Sequence, residues 1–193
     1  MLYFGDGFVK IAHLLVIGLL YSAFILKFIL LEQKGIRVNI LFKEKYKNKT
    51  QLATVIFSWL SIIVSAVSII FDFAIVDVLT LKIIGIVVSS IATIIFIKAI
   101  FDMKSSWRVG VNPNEKTKLV TNGIYSISRN PAYLAFDLLF LGVMIGYPNI
   151  ANIVVFVCYF VSLDNQAKIE EQFLENSFGE EYFNYKKTTR RYI

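Results

Sequence analysis

Apolar residues in this chain fall in long unbroken blocks, without the alternation of a half-buried strand or the three-to-four spacing of a helix with one wet face. Residues 8–31, 51–71 and 79–101 are each long enough to cross a bilayer, since roughly 20 residues rising about 1.5 Å each span a hydrocarbon core of about 30 Å. Two shorter blocks, 131–147 and 149–163, meet at the turn pair Pro148-Asn149 and predict a tight helical hairpin. Pro131 suits the first position of a helix, and the second block is predicted to gain length by continuing into the polar stretch after Leu163. A re-entrant hairpin that stops short of the far side is the alternative. Lys10, Lys27, Lys82 and Lys98 lie near block ends, where a lysine is expected to snorkel to the headgroups. The prediction is an all-α integral membrane bundle of about five transmembrane helices, a single domain over residues 1–193 with no internal repeat.

Composition narrows the chemistry. With 56% hydrophobic and 18% charged residues, against about 45–50% and 25% in soluble domains, the chain cannot be read as a soluble enzyme core or as a disordered segment. One cysteine, Cys158, and one histidine, His13, exclude an internal disulfide and a metal site built on Cys and His, so no metal is expected. The net charge of +6 comes without any basic run interleaved with aromatics, so nucleic acid is not an expected partner and membrane lipids are. Asp6 in place of a basic leader, and no small-residue cleavage pattern, predict that the first block is retained as a span.

Basic residues also predict an orientation. Residues 32–50 carry six (Lys34, Arg37, Lys43, Lys45, Lys47, Lys49), residues 102–130 carry five (Lys104, Arg108, Lys116, Lys118, Arg129) and residues 164–193 carry five (Lys168, Lys186, Lys187, Arg190, Arg191), whereas the connectors 72–78 and 148–149 carry none. By the positive-inside rule the N-terminus is outside and the C-terminus cytosolic. The sequon Asn48-Lys49-Thr50 then lies on the wrong side for glycosylation.

The loop 102–130 and the tail 164–193 flank the fourth and fifth spans, so the hairpin brings both polar segments to one membrane surface. In the loop, Lys118-Leu119-Val120-Thr121-Asn122-Gly123-Ile124-Tyr125 precedes Ser128-Arg129-Asn130-Pro131-Ala132-Tyr133. In the tail, Glu170-Glu171-Gln172-Phe173-Leu174 precedes Phe178-Gly179-Glu180-Glu181-Tyr182. This ordered set resembles the isoprenylcysteine carboxyl methyltransferase family over about residues 107–191. The resemblance implies an integral-membrane methyltransferase that binds S-adenosylmethionine on its cytosolic side without a Rossmann domain and acts on a lipophilic acceptor, small or lipid-borne. It implies a cofactor held by Lys118, Leu119, Val120, Tyr125, Asn130, Pro131, Ala132, Tyr133 and Glu170, with Arg129 beside them. The chain has no G-x-G-x-x-G after a strand, in agreement with the missing Rossmann domain.

The residue types suit those roles. A helix N-terminus at Pro131 suits a carboxylate, and Glu170 suits an ammonium or a ribose diol. Tyr125 and Tyr133 offer faces to adenine or to a sulfonium, a cation–π attraction of about 0.5–2 kcal/mol. A nucleophile that is already a carboxylate needs no base, and no catalytic residue is assigned. Two positions depart from the family pattern. Asn130 stands where histidine is usual, and it can hydrogen-bond but cannot carry charge. Gln166 stands where eukaryotic members carry an arginine thought to meet the substrate carboxylate, which leaves phospholipid amines and small thiols open beside prenylcysteine. Gln166 and the intramembrane carboxylate Asp137 are candidate substrate-binding residues.

Simpler readings stand beside these. Arg129 is also suited to lipid phosphates, Glu170 and Glu171 to a wet helix face with Lys168 pairing to Glu171, the tyrosines to an interfacial belt, and Asp137 to water or to Lys98. His13 predicts an interhelical hydrogen bond, Cys158 a small buried hydrophobe, and Gly142 and Gly146 close helix packing. Two other functions remain open: a nicotinamide-dependent membrane reductase of the same architecture, and a lipid-binding protein without turnover.

Overall fold

The computed structural model describes residues 2–36, 49–107 and 118–193. Arg37, Lys43, Lys45, Lys47, Asn48, Arg108 and Lys116, which enter the orientation and sequon arguments, lie outside the described residues. The elements are α1 (Leu2–Gln33), α2 (Lys49–Phe71), α3 (Leu79–Asp102), α4 (Pro131–Gly146), α5 (Ile150–Phe178) and α6 (Glu180–Thr188), with 3₁₀ turns at Lys104–Ser106 and Gly123–Ser126. Among the described residues the protein is all-helical, apart from a single bridge between Ser128 and Arg190. Among the described residues, four helices are long and apolar enough to cross a membrane. The fifth, α4, has 16 residues, about 24 Å. It starts at Pro131 as predicted and ends where Tyr147 leaves helical geometry ahead of Pro148. Asn149 then starts α5, its side-chain oxygen accepting from the Asn152 N–H at 2.9 Å. As expected, α5 runs through Leu163 into the polar tail without a break.

The bundle is built on α3, which packs against α1 and α4. Glycines set the α3–α4 approach: a Cβ on Gly85 would lie 2.4 Å from the Gly142 carbonyl oxygen, and one on Gly142 would lie 2.3 Å from the Ser89 hydroxyl. The same helices are joined by polar bonds, as expected for His13: its Nε2 meets Ser89 Oγ at 2.9 Å, and Ser89 Oγ donates to the Leu139 carbonyl at 3.2 Å. Thr54 and Ser162 hydroxyls meet at 2.7 Å between α2 and α5. Toward the opposite end, Phe24, Phe96, Phe136 and Trp107 interlock, with Phe96 and Phe136 centroids 5.1 Å apart, and fix the end of α3 from which the polar loop leaves.

Lys82 does not snorkel. It is fully buried at the end of the bundle formed by the 72–78 connector, where Nζ lies 2.6 Å from Asp77, 2.9 Å from Asp72 and 3.3 Å from Asp6. Lys10 also reaches Asp72, at 3.0 Å. Three carboxylates offset the desolvation of one ammonium, which is why it stays inside. Burial alone pushes the Asp72 carboxyl up, but hydrogen bonds from Lys82 and Lys10 outweigh that and hold it below the usual carboxylate range.

Candidate functional site

At the other end of the bundle, Asp102 at the close of α3 accepts from the Ile124 N–H at 2.8 Å. Gly123, at φ +63°, lets the chain turn against that carboxylate, because a Cβ there would fall 2.1 Å from Asp102 Oδ2. The turn buries Tyr125, whose hydroxyl donates to Met103 Sδ at 3.4 Å and whose carbonyl accepts from the Tyr185 hydroxyl at 2.5 Å. Burial, followed by the neighbouring Tyr185 and Glu170, pushes the Tyr125 phenol above its ordinary value. Burial likewise raises Tyr182 to about 12. These phenols stay protonated, and Tyr125 and Tyr185 serve as donors. They are interior groups, not an interfacial belt.

The next residues are tied to the chain's end. The Arg129 N–H donates to the Arg190 carbonyl at 3.0 Å, the Asn130 N–H to the Arg191 carbonyl at 3.1 Å, and the Ser128 hydroxyl to the same Arg191 carbonyl at 3.0 Å. One carboxylate closes this strap. Glu171, 3% exposed, accepts from Arg129 (Nε 3.3 Å, Nη2 3.1 Å), Asn130 (Nδ2 2.9 Å) and Arg191 (Nε 3.1 Å, Nη2 3.0 Å). Arg129 Nη1 also donates to the Thr189 carbonyl. Arg129 is thus committed within the protein, where the simpler expectation sent it to lipid phosphates. Lys168 pairs with Asp164 at 2.6 Å, not with Glu171, and Lys98 pairs with Asp102 at 2.7 Å, not with Asp137. On a helix the i−4 and i+3 neighbours compete for one lysine, and Glu171 already faces two arginines.

The adjacent carboxylate has a different environment. Glu170 accepts from the Tyr133 hydroxyl at 2.6 Å and from Gln166 Nε2 at 3.1 Å. Among the described residues it has no basic partner. Pro131 begins α4 beside it, and with the Arg129 and Asn130 amides already used, Ala132 and Tyr133 supply the N–H groups that helix geometry leaves at the terminus. Lys118, Leu119 and Val120 form a non-helical run leading into the Gly123 turn, with Lys118 exposed and the other two half-buried. Asp137 is 7% exposed with Oδ1 unpartnered, and the buried Gln166 has its Oε1 unpartnered. The structure therefore brings Tyr133, Gln166 and Glu170 into direct contact and sets Tyr125 within electrostatic reach of Glu170. It turns Arg129 and Asn130 toward Glu171.

Sequence reasoning missed Asp102, Glu171 and Arg191. The available signal was the motif order itself: an acidic pair in the tail facing an Arg-Asn-Pro in the loop gives a carboxylate for the arginine and a neighbour that faces elsewhere.

Neither a curated protein nor a solved structure matches the chain. The model of the phospholipid methyltransferase family matches residues 80–181, more than half of the chain, from the start of α3 through the Gly123 turn, the α4–α5 hairpin and the Glu170-Glu171 pair into α6. The Gly123 turn, the Arg129-Asn130-Pro131 run and the acidic pair lie in the matched region, the tail residues Thr189, Arg190 and Arg191 lie beyond it, and the chain belongs to the phospholipid methyltransferase family of membrane methyltransferases.

Proposed function

We propose that the protein transfers a methyl group from S-adenosylmethionine to a lipophilic acceptor that reaches it from the bilayer, in the manner of the isoprenylcysteine carboxyl methyltransferases, with the loop and tail on the cytosolic side. The carrying observation is Glu170, a carboxylate held by two neutral donors and, among the described residues, by no cation, beside the N-terminus of α4. That pair of features suits a molecule bearing both an ammonium and a carboxylate. Glu170 would take the ammonium or the ribose hydroxyls, the Ala132 and Tyr133 amides the carboxylate, and Tyr125 and Tyr133 the adenine or sulfonium. Lys118, Leu119 and Val120 would line the loop side, while Pro131 and Asn130 fix the helix start. When bound, the cofactor supplies an electrophilic methyl whose transfer discharges the sulfonium. The protein's share is alignment and exclusion of water. The Glu171 strap performs the first by fixing the entry to α4.

Calorimetry on purified protein in detergent tests the reading. S-adenosylmethionine is expected to bind and NADPH not to; the reverse supports a reductase, and binding of neither supports a lipid-binding role. Glu170→Ala is expected to weaken the cofactor by about 1.5–3 kcal/mol, roughly 10- to 150-fold, the worth of a charged hydrogen bond. Glu175→Ala, whose partner Lys186 is exposed, is expected to change nothing. Equal effects would remove Glu170 from the site.

A further inference from the structure

The end of the bundle opposite the strap carries a charge cluster that methyl transfer leaves without work. Asp6, Lys10, Asp72 and Asp77 all precede residue 80, where the family match begins. Asp6, Asp72 and Asp77 each offer a carboxylate oxygen, and these three oxygens lie within 4.8 Å of one another. Oxygens that share one calcium ion at about 2.3–2.6 Å stand no more than about 5 Å apart. The spacing therefore suits a hard divalent cation as well as the Lys82 ammonium that sits there. Three carboxylates against the two ammoniums of Lys82 and Lys10 leave one negative charge over, and the Asp77 and Asp6 side chains are open to water.

A second observation lies behind Lys82. Its Nζ stands 5.5 Å from the centre of the Tyr147 ring, and the Tyr147 hydroxyl is fully buried with no hydrogen-bond partner among the described residues. That phenol is within electrostatic reach of Lys82 and of all three aspartates. His13 adds another such atom. The Ser89 hydroxyl gives its one hydrogen to the Leu139 carbonyl, so His13 Nε2–H is the donor in the 2.9 Å bond to Ser89, and Nδ1 keeps a lone pair. This Nδ1 is buried and unpartnered. Only Gly146 separates it from Lys82: a Cβ there would lie 3.4 Å from Lys82 Cα and 3.7 Å from His13 Nδ1. Two buried acceptors without a donor thus stand on the inward side of one ammonium, and buried acceptors are ordinarily matched.

We propose that Asp6, Asp72 and Asp77 form a binding site for a divalent cation of the calcium class, and that Lys82 is its built-in competitor. Lys82 has two seats. In one its ammonium fills the carboxylate triad. In the other its flexible stem carries the ammonium inward, over the Tyr147 ring to the Tyr147 hydroxyl and His13 Nδ1, and leaves the triad to the ion. The exchange gives both unmatched acceptors a donor, which accounts for a buried phenol and a buried imidazole standing unpartnered beside a lysine. The ion then ties the start of α1 to the 72–78 connector, as Lys82 does in its outer seat. Carboxylate oxygens are hard ligands, so the site is of a different chemistry from the Cys and His sites that the composition excludes. Because the ion must displace an ammonium, its affinity falls in the weak range of oxygen-ligand sites. The site is independent of the methyl donor.

Calorimetric titration of calcium chloride into the full-length, chelator-washed protein in detergent, at constant ionic strength, tests this. The wild-type protein is expected to bind calcium with a Kd of about 0.1–1 mM, the range of weak oxygen-ligand sites. Asp77→Asn, a change at an exposed side chain, should weaken that binding about tenfold or more by removing a charged ligand. Lys82→Met removes the competitor and should bind calcium about tenfold or more tighter than the wild type, with a larger calcium-induced rise in unfolding temperature. Tyr147→Phe removes no ligand of the ion and should still weaken calcium about fivefold, the worth of the hydrogen bond that the displaced ammonium loses. Should Lys82→Met not fold, the Asp77→Asn and Tyr147→Phe titrations carry the test. Absence of binding by the wild-type protein overturns the proposal. So does wild-type affinity in Asp77→Asn, which puts the ion elsewhere, or a Lys82→Met protein that binds no tighter than the wild type. Wild-type affinity in Tyr147→Phe overturns the inward seat of Lys82.

Discussion

Replacing Glu171 by alanine is the sharpest test of how the loop is held. The carboxylate is 3% exposed and accepts five hydrogen bonds from Arg129, Asn130 and Arg191. Removing one partner of a buried charge pair costs about 3–5 kcal/mol, because the other charge is left unmatched. Arg129, with 8% of its side chain exposed, pays that penalty, softened by the carbonyls of Thr189 and Lys186. Arg191, at 32%, regains water. The lower end applies, about 3 kcal/mol, or roughly a 150-fold rise in the population with the strap open. The Arg129 and Asn130 amides report that opening directly, since they donate to the carbonyls of Arg190 and Arg191. Hydrogen exchange at those two positions should accelerate by that factor, with little change along α3. Glu175→Ala is the control: its Lys186 pair is exposed on both sides and is worth about 0–1 kcal/mol. Equal acceleration in the two variants would refute the idea that Glu171 closes the strap.

Gly85→Ala should lower the thermal unfolding temperature in detergent, at a cost of about 1–3 kcal/mol for overpacking, because the new methyl meets the Gly142 carbonyl at 2.4 Å; an unchanged temperature would mean that α3 and α4 are not in this contact. Lys82→Met strands Asp6, Asp72 and Asp77 against one another and should cost about 3 kcal/mol, with partial rescue by Asp72→Asn in the same chain; no loss on unfolding would show that the cluster is not formed. Asp72 is held below the ordinary carboxylate range in the folded protein, so its contribution is complete above its unfolded value and is lost as pH falls through the lowered folded one. Wild-type stability should therefore decline on acidification more steeply than that of Asp72→Asn, and parallel pH curves would contradict the assignment. Tyr185→Phe removes the donor to the buried Tyr125 carbonyl and should destabilise the tail by about 1–3 kcal/mol, measured as faster exchange in α6.

Hydrophobic length, the hairpin at Pro148-Asn149, the start of α4 at Pro131 and the meeting of loop and tail were legible in the sequence. Each follows from a property of a contiguous segment: enough apolar residues to cross a bilayer, a proline at a helix start, a turn too short for anything but antiparallel helices. What the segments do to one another was not. Adjacent helical residues point about 100° apart, so Glu170 and Glu171 read as one acidic pair until packing turned Glu171 onto Arg129 and Arg191 and left Glu170 to Tyr133 and Gln166. Lys82 read as a residue near a span end, and only the return of the 72–78 connector over it supplied the three aspartates that keep it buried. The segments are set by local burial. The partners of each charge are set by which faces the bundle brings together, and in a low-dielectric interior that choice decides which acids meet a cation and which meet neutral donors.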